Sequence, residues 1–410
     1  LLIPAYQATG LLMTIDGPYV ACWVLACLCA WRWWETDSSA GAIRWSAALG
    51  AALGVGFLFK YTILLLIPGL VLFAWAMRRR KEEAPRSRSG FFATAVGVAC
   101  CTVVFAAVIS PVIIWNAREG WPTVAHLLGH VGAAGGDRPD LAAEKWSYDP
   151  KWTLELVGSQ IGFVGPMLAL MGLALRRGFA RSADEVFRGA ARLGLWAGAP
   201  ILAFYFVLTF FAEGEANWPI AGYAAMIAPA AVLVARSRPL KNPVRGLWHW
   251  SIGYGLATGI GLMLIVPASH LPVVGKYVPL HRFSGWRDTA MKVYEVAEAS
   301  PADGSESEPF VIARRYDATA RLAFYMPGRP SVFCAGPYMG DRKSSYDFFP
   351  DTDLHAKELI GRRAVLVGAS AEQWAEVFRF ERVEAREAGA GRAVYVGVGY
   401  GGPAAGGPTK

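Results

Sequence analysis

The sequence predicts a polytopic α-helical membrane protein with a C-terminal soluble α/β domain. Three observations predict it. The 410 residues are 54% apolar, with a mean hydropathy of +0.32, against roughly 45–50% apolar for ordinary soluble domains. The apolar residues gather in runs near the ~20 residues that a helix needs to cross a bilayer. From about residue 270 the runs shorten and charges return every few residues. The expected division is a transmembrane domain over 1–268, an α/β domain over 269–400, and a Gly/Pro-rich tail over 401–410 expected to be disordered.

Eight apolar runs are candidate spans: 17–34, 45–59, 61–77, 91–115, 152–175, 190–212, 218–235 and 247–267. The second and third form one stretch too long for a single crossing, and Lys60 divides it. In the soluble part, Trp286 to Ala299 has apolar residues at helical spacing. Short apolar runs at 309–313, 331–334, 364–368 and 393–396 read as buried strands. Helices are expected between them at 319–325 and 371–378, an alternation typical of an α/β domain.

The net charge of +8 belongs with membrane orientation, and nucleic acid is not an expected partner. Lys and Arg cluster in three short loops: Arg78 to Arg88, Arg176 to Arg188, and Arg236 to Arg245. These fall at alternate crossings, so all three can be cytoplasmic. The 116–151 loop and the 213–217 link, which lack a basic excess, then lie outside with the soluble domain. Of six cysteines, five lie in apolar runs; no CxxC or disulfide framework is visible. The sequence opens on Leu1, with no charged n-region ahead of an apolar stretch and so no signal peptide expected, and it reads as a fragment whose N-terminal transmembrane part is missing.

That orientation brings Asp16, Lys60, His126, His130, Glu213, Glu215 and Asn217 to one membrane face. Ionisable groups at bilayer depth are costly and are usually paired or functional. Asp16 stands just before a helix, either as its N-cap or as an acceptor-orienting or metal-binding carboxylate. Lys60 is either a snorkelling lysine or a cation for a phosphate. His126 and His130 sit at i, i+4, a spacing open to metal ligation or substrate contact, but no acidic partner stands between them. The segment Glu213-Gly214-Glu215-Ala216-Asn217-Trp218-Pro219 is the sharpest signal, because a tight helix–helix link does not require two carboxylates, an amide and an indole.

The order GLLMTIDGPY, GFLFKYT, PVIIWNAREGWPTVAH, VGSQIGFVGP and EGEANWP, followed by HRFSGW and ARLAFYMPGRP in the tail, resembles the bacterial glycosyltransferase family 39 and 83 proteins. These are relatives of the protein O-mannosyltransferases and the lipid A aminoarabinose transferases, with the GT-C membrane fold. The resemblance implies a transferase of the bacterial inner (plasma) membrane. It would take a sugar from a polyprenyl-phosphate carrier at the periplasmic face and pass it to a glycan, lipid or protein. Asp16, Glu213 and Glu215 are the candidate catalytic residues. Lys60, Tyr61, His126, His130, Gln160, Asn217 and Trp218 are the candidate substrate contacts. Some members use a divalent metal, and metal dependence is left open. The family's main catalytic carboxylate usually lies in an outer loop that would fall upstream of Leu1, so the chain as given would be inactive. A transporter or flippase, or a non-catalytic polysaccharide-binding scaffold, are the alternatives.

Overall fold

The structure, a computed structural model, describes residues 3–12, 14–78, 88–130, 133, 135–137, 148–237, 242–268, 271, 285–299, 308–386 and 393–404. Arg79, Arg80, Lys81, Arg86, Arg238 and Lys241, residues 138–147, and His281 to Ser284 of the HRFSGW motif lie outside them. The chain divides into two compact units, Leu1–Ile265 and Val266–Lys410.

The first unit is helical. A short α1 (Pro4–Leu11) is followed by α2 (Asp16–Glu35) and α3 (Ser39–Phe59). A 3-10 turn at Tyr61–Leu65 leads into α4 (Leu66–Arg78), then α5 (Arg88–Arg118) and α6 (Pro122–His130). After these come α7 (Pro150–Val164), α8 (Met167–Gly178), α9 (Glu185–Leu208), α10 (Ala221–Arg236) and α11 (Pro243–Ala268). Among the described residues, Ser39–Phe59, Thr94–Arg118 and Glu185–Leu208 are long and apolar enough to cross a membrane. Tyr61–Met77 and Ala221–Arg236 are apolar but shorter. The chain is a multi-pass membrane protein.

One expected span is corrected. The 152–175 run is not a straight helix: α7 and α8 meet at 90°. The break falls at Gly165, whose φ of 62° is a left-handed conformation that glycine adopts readily, and at Pro166, which cannot donate a backbone hydrogen bond. Hydropathy alone reads straight through such a corner because both arms are apolar. The 218–235 run also begins later than expected as helix, at Ala221, because residues before it form the turn that carries Asn217.

Packing inside this unit depends on small residues, as expected where lipid supplies no hydrophobic drive between helices. On α2, Tyr19, Trp23, Ala26 and Ala30 form a buried stripe at helical spacing. A Cβ at Gly50 of α3 would run into the Cys101 carbonyl of α5, and one at Gly69 of α4 into the Trp196 carbonyl of α9. Glycine at these two positions sets how closely the helices approach.

The second unit holds α12 (Trp286–Glu298), β1 (Phe310–Ala313), α13 (Tyr316–Tyr325), β2 (Val332–Cys334), β3 (Ala364–Val367), α14 (Ala371–Val377), β4 (Arg382–Arg386) and β5 (Val394–Val398). The sheet order is β2-β1-β3-β5-β4. β1 pairs in parallel with β2 and β3, whereas β5 runs antiparallel to β3 and β4. The α/β expectation therefore holds, and β1 and β3 are buried along their full length as continuous apolar strands should be.

Two expectations here are corrected. β4 was not foreseen, because it is an exposed edge strand of alternating charge, with Glu384 clasped by Arg382 and Arg386 at 2.6 and 2.9 Å; such charges protect sheet edges. The tail was expected to be disordered from 401. Residues 401–404 are instead tied to Val377 and Arg379 by backbone hydrogen bonds, and Pro403 bridges to Phe378. The remainder, 405–410, lies outside the described residues.

Candidate active site

The site forms where three helix ends meet. Asp16 is the first residue of α2, and its buried side chain meets Lys60 at the end of α3. Lys60 follows the last residue of α3 in an extended conformation that ends the helix and starts the 3-10 turn. Asn217 lies in the link between α9 and α10. The Lys60 Nζ donates to Asp16 Oδ1 at 2.9 Å, and the Asn217 Nδ2 donates to Asp16 Oδ2 at 2.6 Å. Both carboxylate oxygens are thus held. The Asp16 side chain is 5% exposed and that of Lys60 16%.

Below this cluster, Tyr19 is fully buried one turn after Asp16. Its ring centroid lies 5.6 Å from the Lys60 ammonium, and its hydroxyl accepts from Thr62 at 3.1 Å. The aromatic face adds a cation–π contribution to the lysine. Lys60 therefore sits against a carboxylate and an aromatic ring on one side. Its ammonium has three N–H donors, and Asp16 takes one of them.

Gln160 and Trp218 shape the link that carries Asn217. The Gln160 Nε2 donates to the Ala216 carbonyl at 2.9 Å. The Trp218 ring lies 5.4 Å from that of Tyr205, packed against the core. Glu213 and Glu215 occupy the same link but are exposed. Neither carboxylate joins the Asp16 cluster by a hydrogen bond or ion pair with the described residues.

Helix α6 docks beside Lys60 through its neighbour Tyr61. The Tyr61 hydroxyl is 3.5 Å from Thr123 Oγ1, and its ring packs edge-on to Phe57 at 4.6 Å. Asn116, 2% exposed, closes the corner before α6: its side chain accepts from the Thr123 N–H at 3.2 Å. One turn further along α6, His126 Nδ1 meets Asp137 Oδ2 at 2.9 Å. The His130 backbone ends α6, and its side chain lies outside the described residues.

Of the residues singled out in the sequence, the structure thus joins Asp16, Lys60 and Asn217 directly. Tyr61, Gln160 and Trp218 are built into the walls around them. Tyr19, Thr62, Thr123 and Asp137 were missed. Tyr19 was findable, because it lies three residues after Asp16 on the same helix. Asp137 was not, because nothing in its spacing from His126 marks the pairing. Among the described residues no three His, Cys, Asp or Glu side chains converge as metal ligands, and the Asp16 carboxylate is already engaged by Lys60 and Asn217.

Comparison with known proteins bears on the fold. Residues 1–115 match the family model described as dolichyl-phosphate-mannose-protein mannosyltransferase. No curated protein matches the chain. Among solved structures, the crystal structure of ArnT from Cupriavidus metallidurans bound to undecaprenyl phosphate matches with a TM-score of 0.52 at 14% identity. The match covers 96% of this chain and 77% of that one. The chain accordingly has the GT-C membrane fold, with the sequence signature of the mannosyltransferase family over its first 115 residues.

Proposed function

We propose that the chain is a membrane glycosyltransferase that moves a sugar from a polyprenyl-phosphate carrier to an acceptor at the non-cytoplasmic face of the membrane. The observation that carries this reading is the buried Asp16–Lys60–Asn217 cluster, drawn from three separated segments to one end of an apolar bundle. The family match and the undecaprenyl phosphate held by the structural relative agree with it.

The reaction needs little covalent help. The leaving group is a lipid phosphate, stable as an anion at neutral pH. The acceptor hydroxyl oxygen attacks the anomeric carbon, and the bond from that carbon to the phosphate oxygen breaks. The electron pair leaves on the phosphate, and the acceptor's proton passes to a base. The protein's task is to hold the phosphate and orient the acceptor in a site with little water, where a fixed charge is worth more than in bulk solvent. Lys60 supplies the cation, with two of its three N–H donors left for phosphate oxygens. Asp16 fixes the lysine in place and offers its oxygens to the acceptor. Asn217 fixes the carboxylate.

The basic residues at the far ends of the helices support the orientation. Arg176, Arg177 and Arg236 all close helices at the end remote from Asp16. A transporter would place its polar groups on broken helices at mid-bilayer; here Asp16 and Lys60 sit at helix ends. The second unit lies on the outer side in this reading, with the acceptor drawn from the cell envelope.

The test is transfer from an undecaprenyl-phosphate-linked sugar by the Lys60→Ala variant in lipid nanodiscs. Transfer is expected to be lost while the protein remains folded by its thermal transition. Lys60→Arg should retain part of the activity, because it keeps a cation. Unchanged turnover in Lys60→Ala would refute the phosphate role.

A further inference from the structure

Gln160 lies on the buried face of α7 with Leu156 and Val164, and is 8% exposed. Its Nε2 reaches three acceptors: the Ala216 carbonyl at 2.9 Å, the Leu156 carbonyl at 3.2 Å and Ser159 Oγ at 3.1 Å. Two of these are carbonyl oxygens, which can only accept. Turning the amide over would set its oxygen against both, so the network fixes which end is which. The Ser159 hydroxyl hydrogen is spent on the Leu156 carbonyl at 2.7 Å, so Ser159 cannot donate back. The result is a Gln160 Oε1 that is buried and meets no donor among the described residues.

A buried acceptor held without a donor costs folding free energy and calls for an explanation. Its position supplies one. The same amide grips Ala216, whose neighbour Asn217 holds the Asp16 carboxylate. The grip of the amide nitrogen therefore places the Gln160 side chain beside the link, one residue from the Asn217 that holds Asp16. The orphan oxygen is a neutral acceptor, and Lys60 already supplies the cation nearby. The fitting complement is a neutral O–H donor.

We propose that Gln160 Oε1 accepts a hydrogen bond from one hydroxyl of the sugar being transferred, so that Gln160 reads the sugar and not the carrier. This rests on the glycosyl-transfer reading of the same site. A site built to pair with a hydroxyl discriminates strongly against an analogue lacking it, because the buried acceptor is then left empty.

The experiment measures binding, not turnover. Full-length protein in nanodiscs is titrated with bare undecaprenyl phosphate, with undecaprenyl-phosphate-linked mannose, and with the series of mannose donors each lacking one hydroxyl. For the native protein one deoxy donor should bind about tenfold more weakly than its parent, the loss expected for one buried hydrogen bond. Gln160→Met should weaken the parent donor by a similar factor, should show no further loss with that deoxy donor, and should weaken bare carrier by clearly less than the parent donor.

A native protein that binds every deoxy donor equally well overturns the proposal, since an ordered water then satisfies Oε1. So does a Gln160→Met variant that loses bare carrier as much as sugar-linked carrier, the pattern of a purely structural role. In both cases the native protein still binds the carrier and the transfer reading stands. Failure of the native protein to bind bare undecaprenyl phosphate overturns both.

Discussion

The two ends of the helical unit each join helices with an aspartate and a basic residue, yet the pairs differ in kind. At one end Asp16 and Lys60 are 5% and 16% exposed, and Asn217 holds the second carboxylate oxygen. At the other end Asp184, the N-cap of α9, meets Arg236, the last residue of α10, with side chains 51% and 45% exposed. Between them in exposure stands the pair of His126, on α6, and Asp137, at 33% and 20%. Water screens the exposed pair, and the charges there need no special reason to exist. The buried pair carries a desolvation cost that geometry only partly repays, so it is weak evidence of stability and stronger evidence of a task. Burial, not the presence of a salt bridge, separates a site from a fastening.

The widest gap between the ends should appear on removing one partner. Lys60→Leu leaves the Asp16 charge buried with only Asn217 to answer it. Such breaks cost about 3–5 kcal/mol in other proteins, so a large drop in the thermal midpoint is expected alongside lost transfer. Adding Asp16→Leu should restore much of the stability and none of the activity. A double variant as unstable as the single would mean that the pair is structural and would erase the contrast.

A smaller effect is expected at Asn217. Its 2.6 Å bond to a carboxylate is of the charge-assisted kind, worth about 1.5–3 kcal/mol. Asn217→Ala should reduce transfer strongly and stability modestly, measured by turnover and by thermal unfolding. Asp137→Asn removes the half-exposed charge opposite His126 and should act more weakly still, with little change in the thermal midpoint and a partial loss of transfer. If Asp137→Asn proves as damaging as Lys60→Leu, exposure does not grade these pairs.

How much of this could be read from the sequence varies with the physics of each element. The strands β1 and β3 were legible, because a run buried on both faces must be apolar throughout. β4 was not, because its residues are chosen for solvent and look like a loop. The membrane runs were legible as composition, but the right angle at Gly165–Pro166 was not, since hydropathy carries no direction. At the site, Asp16, Lys60 and Asn217 stood out as polar groups in apolar surroundings. That they touch depends on how α2, α3 and the α9–α10 link pack, and one-dimensional spacing cannot report it. Glu213 and Glu215 show the converse: carboxylates in a conspicuous link, which the fold leaves exposed. For Gln160 the sequence offered a polar residue in an apolar helix, whereas its orphaned oxygen depends on the Ala216 carbonyl across the bundle.

The smallest effect is expected at the exposed end. Asp184 accepts from the Phe187 N–H at 3.0 Å as a helix cap and also pairs with Arg236. The Arg236 hydrogen bond, then the Phe187 N–H, hold its carboxyl down at about 2. A carboxyl whose folded value lies below its unfolded value of roughly 3.9 stabilises the fold above that unfolded value, and the benefit fades as pH falls towards 2. At pH 7 the contribution is fully present but heavily screened. Asp184→Asn keeps a side-chain oxygen for the cap and removes the charge. Its thermal midpoint at pH 7 should fall only slightly, and by less in high salt, while transfer is unchanged. At pH 3 the difference from the native protein should shrink. The buried end should behave otherwise: salt should narrow the gap between Lys60→Leu and the native protein much less, because a pair 16% and 5% exposed is screened less than a solvated one. A salt dependence equal at the two ends would show that water reaches Asp16 as freely as Asp184.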